Sequence, residues 1–294
     1  MMEDQSLDTL FRDAVAAMDT GDVAALERML DAHPRLARER LEAPGEWLRG
    51  QVGGALDSFF QRPYLLWFVA EDPVRTGTLP PNVLDVTRAL VAAVRRYGPE
   101  TLHEQTSHAL QLVCWSPVAA RYTVQPELID ILLDAGARME RAVDNALVNG
   151  HFRAARHLVA RGAPLTLGSA LCLGRWDDAA RLAEAAGDDE RQYALVLSAL
   201  NGRADGVRRA LAASADAGRP SEHLYPHASP LHHAVASGSL ETVRVLLDAG
   251  ADPGAVDTAW GGTPLGWAEH YVQTTEGDTT AESHRAVLAY LRER

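Results

Sequence analysis

Histidines crowd the last third of this chain, among them His223, His227, His232, His233 and His270, with Tyr225 between the first two of these and Glu269 and Tyr271 flanking His270. Imidazole titrates near neutrality, and a neighbouring carboxylate or phenol orients it or relays its proton. His270, Glu269, Tyr271, His233, His227 and Tyr225 are therefore the candidates for acid–base chemistry, of the kind that an elimination, addition or cyclisation of an organic substrate needs. His223 and His227 also have a spacing open to a metal ion. They lie among Gly218, Pro220 and Pro226, which oppose a helix, and no His-Glu-x-x-His motif accompanies them, so no metal is assigned.

Other chemistries are closed off by missing residues. The 28 residues of the Lys+Arg total are all arginine, and without lysine neither a Schiff base through a lysine amine nor a P-loop phosphate cradle is available. There is no Gly-x-Ser-x-Gly elbow, no Gly-x-Gly-x-x-Gly run after a strand and no Cys-x-x-Cys pair, and Gly168 stands alone between two helical segments. No cofactor is implied. Arg141 and Asp144, with Asn145, read as a helix start that caps and pairs within itself.

Composition sets the class. The 294 residues are 47% hydrophobic, enough to bury an extended core, and the formal net charge of -12 opposes a phosphate backbone, so nucleic acid is not an expected partner. Cys114 and Cys172 are too few for a disulfide framework, which points to a reducing cytoplasm. The opening Met1-Met2-Glu3-Asp4 lacks a basic region, and the longest apolar run, Tyr64 to Ala70, is far too short to cross a bilayer, so neither export nor membrane attachment is expected. Abundant Ala, Leu, Val and Arg, with isoleucine only at Ile129 and Ile131, point to a GC-rich bacterial genome.

The elements that must hold these residues repeat. Ser229-Pro230-Leu231-His232-His233-Ala234-Val235-Ala236-Ser237-Gly238 starts a short helix with a serine cap and a proline at its first position, and Gly238 ends it. Leu240, Val243, Leu246 and Leu247 then line one face of a second helix that stops at Gly250. Thr263-Pro264-Leu265-Gly266-Trp267-Ala268 restarts the cycle roughly 33 residues later. Upstream, Asn149-Gly150-His151, Leu173-Gly174-Arg175 and Asn201-Gly202-Arg203 mark the same turn, and Leu132 to Ala137 and Leu158 to Ala163 echo Leu246 to Ala251. Segments near Ala14 to Pro34, Pro63 to Arg95 and His108 to Leu133 pair in the same manner.

This pattern resembles the ankyrin repeat, in a degenerate form that spans nearly the whole chain. The resemblance implies an all-α ankyrin-repeat solenoid of about eight helical pairs in a single domain over 1–294, with the clearest repeats at 229–256 and 263–294. The turn glycines at Gly150, Gly174 and Gly202 are closer than the family consensus, which leaves short connections there. Enlarged loops are expected at Leu41 to Arg62, Glu71 to Pro81, Ser116 to Gln125, Ser214 to Ala228 and Val272 to Glu282.

Ankyrin proteins generally recognise partners through their fingers and first helices, notably the positions just before the turn glycine. Here those positions include Asn149, Cys172, Leu173, Leu200, Asn201 and His270, with His233, Trp115 and Trp267 beside them, and they are mostly apolar or neutral. They form a ligand groove on the concave face, or they are core beneath long loops. His232 matches the family histidine that links neighbouring loops, whereas His233 stands where the family is apolar and either finds a buried partner or faces the groove. Glu269, His270 and Tyr271 also suit a solvated terminal cap. Two functions follow from the resemblance: a cytoplasmic binding module for a protein, peptide or apolar ligand, or a cofactor-independent lyase or cyclase acting on an apolar metabolite in the same groove.

Overall fold

The computed structural model describes residues 6–275 and 278–294, and among them the regular structure is helical, with a lone bridge between Ser221 and Leu224. Its contacts fall into two units, Met1–Pro164 and Leu165–Arg294. Each is built from helical pairs, four per unit among the described residues.

In the first unit α1 (Leu7–Thr20) is capped by Ser6, and α2 (Val23–Ala32) by Asp22, whose carboxylate accepts from the Ala25 N–H at 2.9 Å. α3 (Arg35–Arg38) and α4 (Glu46–Val52) follow, with 3₁₀ segments at Gly53–Asp57 and Leu65–Ala70. The expected Leu41 to Arg62 loop is thus partly helical. α5 (Val83–Tyr97), α6 (Leu102–Trp115), α7 (Pro117–Arg121), α8 (Gln125–Asp134), α9 (Ala142–Val148) and α10 (Phe152–Ala160) complete the unit. Leu65–Ala70 takes the place of a first helix and packs on α5 and α6; all six of its residues are buried, so it lacks the solvent face of an amphipathic helix. Phe11, Trp47 and Phe60 pack around Phe68, with centroids 5.2 to 6.5 Å apart.

Glu71, 1% exposed, closes that segment and organises the loop after it. One carboxylate oxygen accepts from the backbone N–H groups of Arg75, Thr76 and Gly77, and the other takes the Arg75 guanidinium at 2.8 Å, which also reaches Asp19 at 2.7 Å. A buried acid held this way shapes a loop that has no regular structure of its own.

The second unit is more regular. Its pairs are α11 (Leu167–Leu173) with α12 (Trp176–Ala185), α13 (Asp188–Leu200) with α14 (Ala204–Ala212), α15 (Pro230–Ala236) with α16 (Leu240–Asp248), and α17 (Pro264–Thr274) with α18 (Asp278–Arg292). Ala170, Leu195, Leu231, Val235, Val243, Leu246, Ala268 and Val287, from successive pairs, share one core. Only residues 186–187 separate α12 from α13, as the close glycine spacing implies. The loop expected from Val272 to Glu282 is shorter than that, since α17 runs to Thr274 and α18 begins at Asp278; Glu276 and Gly277 lie outside the described residues. Gly238 holds φ +68°, a left-handed turn between α15 and α16 that L side chains rarely adopt.

His233 is 3% exposed, and its Nε2 has no hydrogen-bond partner among the described residues. Burial, reinforced by the charges of His227 and His232 when protonated, pushes its pKa down to about 4, against the weaker pull of the Tyr225 and Ala228 backbone groups. The ring is neutral near pH 7.

Two outcomes are expected. Glu71→Ala leaves the buried Arg75 with Asp19 as its one carboxylate partner among the described residues, frees the N–H groups of residues 75–77 and destabilises the first unit by about 3–5 kcal/mol, read as a lowered denaturant midpoint; an unchanged midpoint refutes the loop-organising role. For His233 the unfolded chain binds its proton more tightly than the folded one, so stability rises with pH. The second unit then loses on the order of 3 kcal/mol as pH falls from about 6.5 to below about 4, and His233→Leu removes that share of the loss. Denaturation curves at pH 7 and pH 4 for the two proteins test this, and parallel losses in both would rule His233 out.

Candidate functional site

After α16 the chain turns at Ala249 and Gly250 and enters a finger that ends at the Thr263 cap of α17. Asp257 builds this finger. Its carboxylate accepts from the N–H groups of Ala259 at 2.9 Å, Trp260 at 2.7 Å and Gly262 at 2.8 Å, and from the Trp267 indole Nε1–H at 2.9 Å. Burial at 2% exposure works against its charge, but these donors outweigh it and hold the carboxyl well below the usual carboxylate range. The Thr258 N–H donates to the His227 carbonyl at 2.9 Å, tying the finger to the preceding one. Gly262 has no room for a side chain, since a Cβ would sit 2.9 Å from Asp257 Oδ2 and from Trp267 Cδ1.

His232 completes the scaffold. Its Nδ1 lies 2.8 Å from Ser229 Oγ at the cap of α15, and its Nε2 lies 3.1 Å from the Gly262 carbonyl oxygen, to which it donates in the tautomer this network requires. The finger, the cap of α15 and the start of α17 are thus one hydrogen-bonded assembly.

On this scaffold sits an aromatic cleft of 480 Å³, lined by Trp260, Gly262, Gly266, Trp267, His270 and Tyr271. Trp260 is 73% exposed. Its ring centroid is 5.6 Å from that of Trp267 and 5.0 Å from that of His227, and Trp267 is 6.4 Å from Tyr271 one helical turn on. Tyr225, exposed at the tip of the preceding finger with φ +50°, lies 6.1 Å from His227 and 5.8 Å from His233.

The structure brings together part of what the sequence nominated. Trp267, His270 and Tyr271 line the cleft, with His227 against its rim. Glu269 and His270 do not act as a pair: consecutive helical side chains diverge, and Glu269 accepts from Arg292 at 2.9 Å. Tyr271 stacks on His284 at 5.1 Å, and burial raises its pKa. Two expected groove residues are core instead. Cys172 is 0% exposed with its Sγ 3.9 Å from Ser198 Oγ, and His233 is buried behind the fingers, because both stand on the helix face that meets the next pair. Leu173, Leu200 and Asn201 are half-buried, and the Asn201 amide donates to the Leu197 carbonyl at 2.9 Å. Trp115 and Asn149 belong to the first unit, where Trp115 meets Phe59 edge-on at 5.9 Å and Asn149 is exposed after α9.

Sequence reasoning missed Asp257, Trp260, Gly262 and Gly266. The signal was the run Asp257 to Pro264, an acid four residues before a glycine pair that abuts Thr-Pro, which reads as a carboxylate closing a tight loop onto a helix start. Among the described residues no three His, Cys, Asp or Glu side chains group as metal ligands, and no helix is long and apolar enough to cross a membrane.

The family model for ankyrin repeats, in three copies, matches residues 146–257. Among curated proteins the chain is similar to potassium channel KOR1 of Oryza sativa subsp. japonica, 44% identical over 71 residues, which is 24% of this chain and 8% of the channel. The chain thus spans a small fraction of that relative. Among solved structures it is similar to the human ASB11 ankyrin repeat domain, with a TM-score of 0.33 at 16% identity over 76% of this chain and 96% of that one. It is also similar to the ankyrin repeat domain of Bcl-3, described as a unique member of the IkappaB protein family, with a TM-score of 0.38 at 19% identity over 96% of this chain and 100% of that one. Residues 146–257, from the end of α9 to the finger after α16, are thus matched as ankyrin repeats.

Proposed function

We propose that the second unit binds a partner protein or peptide through the aromatic cleft on the finger before α17. Ankyrin repeats generally mediate protein–protein binding, and the observation that carries the reading here is Trp260. Its indole is 73% exposed, yet its backbone N–H is fixed to Asp257 at 2.7 Å. A large apolar side chain left in water on an ordered loop loses little conformational entropy when a partner covers it, and tryptophan is the residue most enriched among binding hot spots. The half-buried Leu173 and Leu200, before the turn glycines of earlier pairs in the unit, extend the surface. The two buried cysteines, Cys114 and Cys172, suit a reducing cytoplasm, where we place this binding.

The acid–base reading of the same cleft draws little from the geometry. Glu269 is engaged by Arg292, Tyr271, whose ring lies 5.7 Å from that of His270, is stacked on His284, and His233 is buried and neutral.

Affinity capture with the wild-type chain and three variants tests the proposal. Trp260→Ala weakens retention of a captured partner by tenfold or more, about 2 kcal/mol, without loss of helicity. Leu200→Arg also weakens it, by placing an unpaired charge in the interface, whereas Tyr122→Ala in the first unit has no effect. A partner that survives Trp260→Ala but is lost with Tyr122→Ala moves the site to the first unit. Recovery of a small organic molecule in place of a protein replaces the reading altogether.

A further inference from the structure

The rings of this chain are commonly covered by its own arginines. The guanidinium of Arg209 lies 4.4 Å from the Trp176 ring, that of Arg96 4.8 Å from Tyr97, that of Arg121 5.6 Å from Tyr122, and those of Arg244 and Arg294 5.0 and 5.1 Å from Tyr290. Among the described residues no arginine covers Trp260, Trp267 or Tyr271. Three rings that face one cleft are thus left without an arginine of the chain's own among the described residues, and one of them, Trp260, is 73% exposed.

The cleft is also prepared for positive charge. Its lining contains no arginine. The Asp257 carboxylate lies directly behind the indole of Trp267, 2.9 Å from Nε1, and a hydrogen bond from an indole N–H to a carboxylate increases the electron density that the ring face offers a cation. The other three donors to Asp257 are backbone N–H groups, which brace that charge without cancelling it. The chain as a whole carries a formal net charge of -12, which attracts cationic partners from a distance. Glu269, next to His270 on α17, is paired with Arg292 and is not among the lining residues, so recognition falls to the rings. Their planes are tilted by 60° between Trp260 and Trp267 and by 55° between Trp267 and Tyr271, which gives a ligand one stacking face and an edge-on wall.

We infer that this cleft recognises an arginine side chain of the partner, stacked on Trp260 and Trp267; the inference rests on the binding reading above and names the chemistry of its partner. Arginine fits better than lysine because the lining supplies ring faces and glycines rather than carboxylates. An ammonium is strongly hydrated and needs oxygen acceptors to replace its water, whereas a planar guanidinium is weakly hydrated and stacks on aromatic faces.

The probes are five-residue peptides, acetylated and amidated, with a central arginine, citrulline, lysine or trimethyl-lysine between glycine and serine residues. Each is titrated at low salt against the full chain, with tryptophan fluorescence as the readout. Citrulline keeps the shape of arginine and removes the charge. The expected result is saturable quenching by the arginine peptide, about tenfold weaker binding of the citrulline peptide, weaker binding of the lysine peptides, and loss of the response in Trp260→Ala. Equal binding of arginine and citrulline overturns the inference while leaving the cleft as a binding site. Tighter binding of trimethyl-lysine than of arginine, quenching that survives Trp260→Ala, or no saturable response to arginine also overturns it. Retention of a captured partner by Trp260→Ala is the separate result that removes the binding reading itself.

Discussion

A short helical pair cannot bury its own apolar face, and the structure follows from that constraint. α15 has seven residues and α16 nine, too few to be stable alone in water. Their apolar side chains, Leu231, Val235, Val243 and Leu246, are fully buried only because α13, α14, α17 and α18 cover them. Each pair in the second unit is thus a condition for the next, and stability is spread along the unit instead of being held in one nucleus. The side chains that cannot share in this stacking lie at the finger tips and helix ends, and those are the positions available for recognition.

What fixes the fingers is polar. Asp257 gathers four donors, His232 bridges the cap of one pair to the loop of the next, and the Thr258 N–H reaches the His227 carbonyl. These groups are largely buried, so each bond is stronger than in water and each loss is more harmful. The scaffold leaves Trp260 exposed and ordered together. The cleft and the repeat are therefore one device: the charge that closes the turn is the charge that lies behind the aromatic wall.

The first unit solves the same packing problem less regularly. There an apolar 3₁₀ segment stands in for a helix, and a buried acid, Glu71, carries the loop that follows through bonds to successive N–H groups and to Arg75. Buried ion clusters of this sort specify one loop conformation more than they add stability, because desolvation offsets much of the attraction.

The local pattern alone determined the helical pairs, their turn glycines and their caps, because these depend on neighbours within one turn: Ser229 before Pro230, Gly238 after α15, Thr263 before Pro264. The role of His232 came only through the family resemblance, and the structure adds its local contact with the Ser229 cap three residues before it. The local pattern did not determine that Leu65–Ala70 is a 3₁₀ segment, since helical periodicity is silent where every side chain is buried. Nor did it separate groove from core at Cys172 and His233, because equivalent positions on a first helix face a finger or the next pair according to how closely the pairs stack. That distance is a tertiary quantity. The cleft itself was legible only in fragments, Trp267 and His270 on one helix and His227 on the preceding finger. Its exposed wall, Trp260, is placed by a carboxylate whose partners are backbone N–H groups and an indole ten residues away, and backbone donors leave no trace in residue identity.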